Sequence, residues 1–505
     1  MCIRDSDDLT NVPWKISSMT EYIQYFGGGP DLKFEVDIKD GSLCIEGKNS
    51  YTLYYNMMLF FANGGGACYI VSVGSYKDAL KKDSMITGLG KLTLEQEITL
   101  VAIPEAVNLS SSEEFKDIQQ QMLSHCGNTM KNRFALLDIY PKANEKTKIE
   151  DQVNFFCDNI GSSFLSYGAA YFPWLNTSIV GERDLKGDMF TWTDNAYIHR
   201  TQLDAGFAEI VESLFVEEFE IKENVVKNGH TFKLEEVVEG DIYADSDTEK
   251  TKVIGRIESI KDIKEAGNEK VIKKNVKVVW LFPNNVDKQA LHQALYNVSS
   301  VYKQAIKGVL KNLNLFPPSA AMAGIYTMVD NSRGVWKAPA NVTLNYVGST
   351  VEDIDDEQQA ELNVPIHGKA VNVIRLFRGE GIKVWGARTL DGNSLDWRYV
   401  NVRRTLLFLE ESIKNAARAY VFEPNDAGTW INMKCMIDSF LRSVWKRGGL
   451  AGATPEDAFE VHIGLGDTMT AEDILDGIMR ITVLVAVTHP AEFIEITFQQ
   501  QAQKS

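Results

Sequence analysis

The spacing of apolar and polar positions divides the chain into three kinds of territory. From residue 9 to about 175, short β-type runs alternate with helical stretches. Ala67-Cys68-Tyr69-Ile70-Val71-Ser72-Val73 follows the turn Gly64-Gly65-Gly66, and Phe134-Ala135-Leu136-Leu137-Asp138-Ile139 is a second such run. Before that second run, Phe115, Ile118, Met122 and His125 or Cys126 recur at the three-and-four spacing of an amphipathic helix. The alternation predicts an α/β layer.

The pattern changes near Ile221. Between Lys222 and Lys277 there are 12 basic and 12 acidic residues, and β-branched positions alternate with charges. Lys252-Val253-Ile254-Gly255-Arg256-Ile257 and Val276-Lys277-Val278-Val279-Trp280 read as solvent-washed strands. Residues 179–287 are therefore expected to form an inserted, exposed, partly β module. The pair Pro317-Pro318 punctuates the return to a larger C-terminal region.

That region carries the plainest helices. Leu406, Leu409, Ile413 and Ala416 share one face, and Glu410, Lys414 and Arg418 form a ladder on the other. A second helix carries Met433, Met436 or Ile437, Phe440 and Val444. Lys446-Arg447 suits its C-terminal dipole, and Gly448-Gly449 offers a left-handed stop. Each is expected to be wet on one face. Ile481-Thr482-Val483-Leu484-Val485-Ala486-Val487 reads as a buried strand. Beyond Pro490, Phe493 to Phe498 reads as another, with Ile494, Ile496 and Phe498 alternating with Glu495, Thr497 and Gln499. A two-faced terminal strand needs a partner edge, either in its own domain or in a neighbouring molecule.

Composition narrows the classes of function. A chain of 505 residues, 44% apolar and 24% charged, is an ordinary folded protein of two to four domains at ~100–200 residues each. Its net charge of −17 repels phosphate backbones, so no nucleic-acid partner is expected. Six separated cysteines form no C-x-x-C pair and read as thiols in a reducing compartment. No apolar run approaches the ~18 residues of a membrane span, so no membrane insertion is expected. Residues 1–8 show neither an element pattern nor the apolar stretch of a signal peptide, and are expected to be uninformative, as a truncated or spurious start would be.

Reactive constellations are scarce. There is no G-x-x-x-x-G-K-[ST] string to cradle phosphates, no G-x-S-x-G elbow and no H-E-x-x-H pair. Gly27-Gly28-Gly29 and Gly64-Gly65-Gly66 read as tight turns, and His489 beside Pro490 as a structural histidine. Glu410-Glu411 and Asp355-Asp356 lie in polar stretches without an apolar pocket. Arg403-Arg404 at a helix start suits an ion pair better than a phosphate clamp, because a helix N-terminus disfavours cations. No catalytic residue, cofactor or metal site is assigned.

One series of strings carries a resemblance. In order these are Pro317-Pro318-Ser319-Ala320, Ala323-Gly324-Ile325-Tyr326, and Asp330 followed by Arg333-Gly334-Val335-Trp336-Lys337-Ala338-Pro339-Ala340-Asn341. Asn372-Val373-Ile374, Val384-Trp385-Gly386-Ala387-Arg388-Thr389-Leu390 and Trp397-Arg398-Tyr399-Val400-Asn401-Val402-Arg403-Arg404 follow. Phe422-Glu423-Pro424-Asn425, Trp430 and Pro490-Ala491-Glu492-Phe493-Ile494 close the series. Upstream, Val12-Pro13, Tyr25-Phe26-Gly27-Gly28, Phe60-Phe61-Ala62-Asn63-Gly64-Gly65 and Tyr171-Phe172-Pro173-Trp174 belong to the same set. Together they resemble the contractile tail sheath family of bacteriophages and related injection systems, over about 9–178 and 288–500. Family members usually begin with an extended arm, of the type Pro-Gly-Val-Tyr, before the point where this sequence starts.

The resemblance implies an α/β (α+β) multi-domain subunit. Its mixed-sheet core would be formed by N-terminal (9–178) and C-terminal (288–505) parts, with 179–287 as a variable outer insertion. It implies a structural role without catalysis: copies polymerise around an inner tube and contract to drive it through a target envelope, on stored conformational energy and without nucleotide hydrolysis. The implied partners are further copies, the inner tube protein, and baseplate and terminator proteins. Assembly would occur in the bacterial cytoplasm, and the product would be a virion tail sheath or an injection particle. Phe493, Ile494, Ile496 and Phe498 would form the inter-subunit strand, by β-augmentation. Glu472, Asp473 and Asp476, on a helix over roughly 471–480, would be tube contacts or else a plain solvated face. Arg333, Trp336, Trp385, Arg388 and Trp397 would maintain the fold, or else form an interaction hot spot. The alternative to all of this is a soluble α/β enzyme with a dispersed active site.

Overall fold

The computed structural model describes residues 9–40, 42–47, 51–140, 149–193, 203–206, 209–210, 216–227, 230–245, 252–265, 270–280, 287–364 and 368–492. The chain separates into two units. One holds the described residues of Met1–Gly29, Ser50–Ile179 and Leu315–Ser505, and the other those of Pro30–Asn49 and Val180–Asn314.

In chain order the first unit contains β1 (Trp14–Ile16), α1 (Met19–Phe26), α2 (Leu53–Ala62), β2 (Cys68–Ile70), α3 (Lys82–Lys91), β3 (Leu100–Ala102), α4 (Ser112–Ser124), β4 (Phe134–Asp138), α5 (Ile149–Asn159), β5 (Gly168–Phe172) and β6 (Leu175–Thr177). It continues with β7 (Leu315–Phe316), α6 (Ser319–Arg333), β8 (Val342–Thr343), β9 (Val347–Thr350), α7 (Asp356–Asn363), β10 (Val371–Phe377), β11 (Gly381–Val384), α8 (Val400–Ala417), α9 (Ala427–Lys446), β12 (Phe459–His462), α10 (Ala471–Leu475) and β13 (Thr482–Val485).

The central sheet has the order β8-β11-β10-β5-β4-β3. Strands β3, β4, β5 and β10 run parallel, and β11 and β8 add antiparallel edges. The mixed sheet is thus assembled from both sequence halves, as the resemblance implied. Its middle strands β4 and β5 are buried at every position, which explains why their sequences are continuous apolar runs rather than alternations. Elements from both halves build one core, from Phe115, Ile118 and Met122 on α4 to Val371 and Val373 on β10.

Local chemistry sets where the helices begin and how closely they approach. Asp138, at the end of β4, accepts from the Ser319 backbone N–H at 2.9 Å and from its hydroxyl at 2.5 Å, so it satisfies the first turn of α6. Burial pushes this carboxyl up to about 7. Helices α2 and α6 meet at Gly324, where an added Cβ would lie 2.5 Å from the Phe60 carbonyl oxygen. Helix α9 stops at Gly448 (φ 81°), with Gly449 N–H donating to Val444 O at 3.0 Å. This is the glycine stop read from the sequence.

In the second unit, Val216–Ile221, Val271–Trp280, Lys252–Lys264 and Ile242–Asp245 form a four-stranded antiparallel sheet in that order, and Asn224–Lys227 pairs with His230–Lys233. The strands are not washed by solvent on both faces. Ile221, Phe232, Val237, Ile257, Val276, Val278 and Trp280 form a cluster of their own, while Lys277 pairs with Glu258 at 2.8 Å. Residues 30–49 and 288–314, assigned by pattern to the core parts, lie in this unit. Phe34–Lys39 pairs in parallel with Phe190–Trp192, His292 stacks on Phe190 at 5.1 Å, and Trp192 on Tyr302 at 6.1 Å. Such pairings join segments far apart in sequence, so no local pattern announces them.

Two further expectations are corrected. The start of α8 is buried on all sides, with Asn401, Arg403, Arg404 and Thr405 inside, because charges can be buried when they are paired or stacked. The run read as a buried strand at 481–487 contains β13, which alternates exposed and half-buried positions. It belongs to a two-stranded ribbon with β12 rather than to the central sheet.

Candidate functional site

The site that the sequence strings converge on surrounds the start of α8 and the segment 487–492 leading to the C-terminal tail. Arg388 is 3% exposed. Its Nε and Nη2 donate to the Glu492 carboxylate at 2.9 and 2.6 Å, and its Nη1 donates to Asn363 O at 2.9 Å. Tyr399 donates its hydroxyl to the same carboxylate at 3.0 Å. Burial first, and then this anionic neighbour, raise the Tyr399 hydroxyl above its ordinary value. A planar guanidinium meeting a carboxylate through two nitrogens gives direction as well as energy. Asn372 locks the arginine's backbone, accepting from Arg388 N–H at 2.7 Å and donating to its carbonyl at 2.7 Å.

The rest of the segment is fixed at further points. Asn401 donates to Thr488 O and to Trp336 O, both at 3.0 Å, and Val487 bridges to Leu450. His489 sets its ring against Tyr399, centroids 5.9 Å apart. Beside this, Arg404 makes a two-nitrogen pair with Asp330 of α6, with one contact at 2.9 Å. Arg403 lies between the Tyr167 ring at 3.8 Å and the Trp397 ring at 4.5 Å. The ion-pair reading of Arg403-Arg404 therefore holds within the chain for Arg404, whereas Arg403 is held by stacking.

The five motif residues do not converge on one surface. Arg388 and Trp397 lie in the α8 cluster. Trp336 packs under Arg447, 5.0 Å from its ring, against the cluster of α8, α9 and β12. Trp385 is 37% exposed and rests on Phe377 at 4.4 Å. Arg333 is exposed in the last turn of α6, where a cation suits the helix's carbonyl end.

The acidic trio separates as well. Helix α10 ends at Leu475 rather than running to 480, because Gly477 takes φ 72° and Ile478 N–H returns to Asp473 O at 2.7 Å. Asp473 caps this turn through Thr470 N–H at 2.9 Å and pairs with Arg480 at 2.9 Å. These bonds, led by that from Arg480, hold its carboxyl at about 2. Glu472 and Asp476 are exposed. Between them in sequence, Leu475 is 88% exposed. Asn425 donates to Ile478 O at 3.1 Å, which brings the α8–α9 connection to this turn. On that connection Phe422 is fully exposed with φ 72°.

The tail residues Phe493, Ile494, Ile496 and Phe498 lie outside the described residues. The chain reaches the 487–492 segment from the β12–β13 ribbon, in register Phe459↔Val485 to His462↔Thr482. Val461 is buried and Val483 and Val485 are partly so against α9, with Leu441 and Val444 beneath them. Among the described residues neither outer edge of this ribbon carries another strand. Sequence reasoning gave no role to Glu492 or Phe422. Phe422 had a signal: Tyr420-Val421-Phe422 is an apolar run in a helix connection ending at Pro424, where neither helix can cover it.

The phage tail sheath C-terminal domain matches residues 393–501. The tail sheath protein of Vibrio phage KVP40 is 25% identical over 134 residues, and a prophage major tail sheath protein of Pseudomonas aeruginosa (strain UCBPP-PA14) is 29% identical over 100. These stretches cover 26% and 19% of this chain, and only 20% and 25% of the two relatives. In fold, the contracted helical sheath of the anti-feeding prophage is similar over 98% of this chain and 90% of its own, with TM-score 0.56 and 24% identity. The contracted PVC sheath complex of an extracellular contractile injection system is similar over 99% and 89%, with TM-score 0.54 and 24% identity. Residues 393–501 thus match the phage tail sheath C-terminal domain, and the fold of the chain is similar to that of contractile sheath proteins.

Proposed function

We propose that this chain is a structural subunit of a contractile tail sheath. Copies polymerise helically around an inner tube, bounded by baseplate and terminator proteins, and contract to drive the tube through a target envelope. The work comes from conformational energy stored in the lattice, with no catalytic step and no nucleotide hydrolysis. Assembly takes place in the bacterial cytoplasm, and the sheath then forms part of a virion or an injection particle.

The observation that carries this reading is the pairing of an open acceptor with a pinned donor. The β12–β13 ribbon offers backbone groups along both outer edges, and a two-stranded ribbon gains most from added strands. Nearby, Arg388 and Tyr399 hold Glu492, so the tail that follows departs from a fixed point. A tail bearing Phe493, Ile494, Ile496 and Phe498 on one strand is suited to add to a neighbour's ribbon, linking subunits while the lattice rearranges. Glu472 and Asp476, with exposed Leu475 and Phe422 close by, form the surface offered to the tube. No observation among the described residues favours the dispersed-site enzyme.

Deleting residues 493–505 tests the linkage. By electron microscopy the full chain is expected to form tubes or ring stacks, and the truncated chain to remain a folded monomer by circular dichroism. Polymers that persist after truncation would refute the linking role. A full chain that never polymerises beside its tube protein would refute the sheath reading itself.

A further inference from the structure

A cavity of about 440 Å³ lies in the first unit between β2 and β3, a volume in the range of ligand and peptide pockets. The way the elements line it specifies its shape. Successive residues 67–71 and 97–105 border it without a gap. Side chains alternate between the two faces of a strand, so a strand that lines a space with consecutive residues presents its edge rather than a face. Each helix presents one stripe. α2 contributes positions i, i+3, i+4 and i+7 counted from Leu53, α3 and its last turn the same four counted from Met85, and α6 the positions i, i+3 and i+7 counted from Ala320.

Among the described residues β2 pairs with no strand but β1, Ser72 beyond it bridges to Thr10, and β3 ends the central sheet. Among the described residues no backbone bond crosses between 67–73 and 97–105. At one end of the slot Lys15 and Tyr69 both bind Glu97, tying the two edges across it. At the other end of the lining run Glu105 accepts from Thr52 N–H at 2.7 Å and Leu53 N–H at 3.2 Å, holding α2 in place. Asn56, on the α2 stripe, keeps a buried side-chain oxygen without a hydrogen-bond partner.

We infer that this slot binds an extended apolar peptide segment of another protein chain, inserted as a strand between β2 and β3. A hydrocarbon chain would fill the space and leave both strand edges unsatisfied. A peptide strand carries donors and acceptors along both of its edges and joins the two sheets into one. Helical stripes on both sides require apolar side chains on both faces of the guest, a continuous β-branched run. The segment 493–498 alternates apolar with polar residues, so a second copy's tail fits this slot poorly.

The probe is a fluorescein-labelled peptide with a Val-Ile-Val-Ile-Val centre and lysine ends, titrated into the full chain by fluorescence anisotropy. Saturable binding is expected, and N-methylation of alternate central residues should weaken it roughly tenfold or more by removing the donors along one edge. Location is read without a mutation. Cys68 lines the slot, whereas Cys435 is exposed elsewhere. Bound peptide should slow N-ethylmaleimide labelling of Cys68, followed by mass spectrometry, and leave Cys435 unchanged. Absence of saturable binding, equal affinity of the methylated peptide, or unprotected Cys68 would each overturn the assignment.

Discussion

Two regions within the C-terminal part of the chain invert the usual distribution of side chains in opposite ways. Around the start of α8, Arg388, Arg403 and Arg404 are buried, and each is answered by a carboxylate or by aromatic faces. At the α9–α10 side, Val421, Phe422, Ile431 and Leu475 are exposed, with no core to enter. Buried charge that is paired or stacked inside the fold fixes geometry, even though Arg403 Nε, Asn401 Oδ1 and Thr405 Oγ1 find no hydrogen-bond partner among the described residues. Exposed apolar surface in one neighbourhood is unfinished within the monomer. The first region holds Glu492 in place, and under the proposed function the second is the surface offered to a partner.

The largest expected loss of stability breaks the first region. Arg388→Met leaves the Glu492 carboxylate without its cation, and urea unfolding should show a loss of about 3 kcal/mol. Adding Glu492→Leu should recover most of that loss, since two apolar groups do not need each other's charge. A double variant no better than the single one would mean that Arg388 acts through its bond to Asn363 instead.

Asp138 sharpens the contrast, because it is a buried acid without a cation. It titrates near 3.8 in the unfolded chain and at about 7 in the folded one. Between those values the folded protein keeps a proton that the unfolded chain has released. Stability therefore falls as pH rises from about 4 to about 7, and the loss is complete above the folded value. Asp138→Asn should flatten that slope by something on the order of 4 kcal/mol across the window, measured by urea unfolding at several pH values. An unchanged slope would place the titrating group elsewhere.

The smallest effect on the monomer belongs to the second region. Phe422→Ser and Leu475→Ser should each change unfolding free energy by less than about 0.5 kcal/mol, as substitutions at exposed sites do. The same variants should reduce co-sedimentation with the tube protein. If they destabilise the monomer instead, those side chains are structural and the contrast between the regions fails.

The elements themselves were largely legible before the structure. The unbroken apolar run at Phe134–Asp138 announced a central strand, the three-and-four spacing from Phe115 a helix, and Gly448-Gly449 the stop of α9, since each of these depends on neighbours within a few residues. Several of the family motifs, Trp397–Arg404 and Pro490–Glu492 among them, meet in the α8 cluster. The partners inside that cluster were not legible. Nothing local pairs Arg388 with Glu492, 104 residues away, or Arg404 with Asp330, 74 away. The acidic trio reads as one face on paper, but Gly477 ends the helix early and Arg480 folds back onto Asp473.

By itself, then, the sequence determined the class of the layers, the absence of nucleotide-binding and hydrolase strings, and the order of motifs that carries the resemblance to tail sheaths. These rest on periodicity, turn chemistry and residue identity, all of which act over short distances along the chain. The tertiary structure alone decided which charges are neutralised inside, which ribbon keeps its edges open among the described residues, where Phe422 is left in solvent, and that β2 and β3 border one cavity. Those outcomes follow from packing between segments far apart in sequence, where burial and pairing are settled only when the whole core closes.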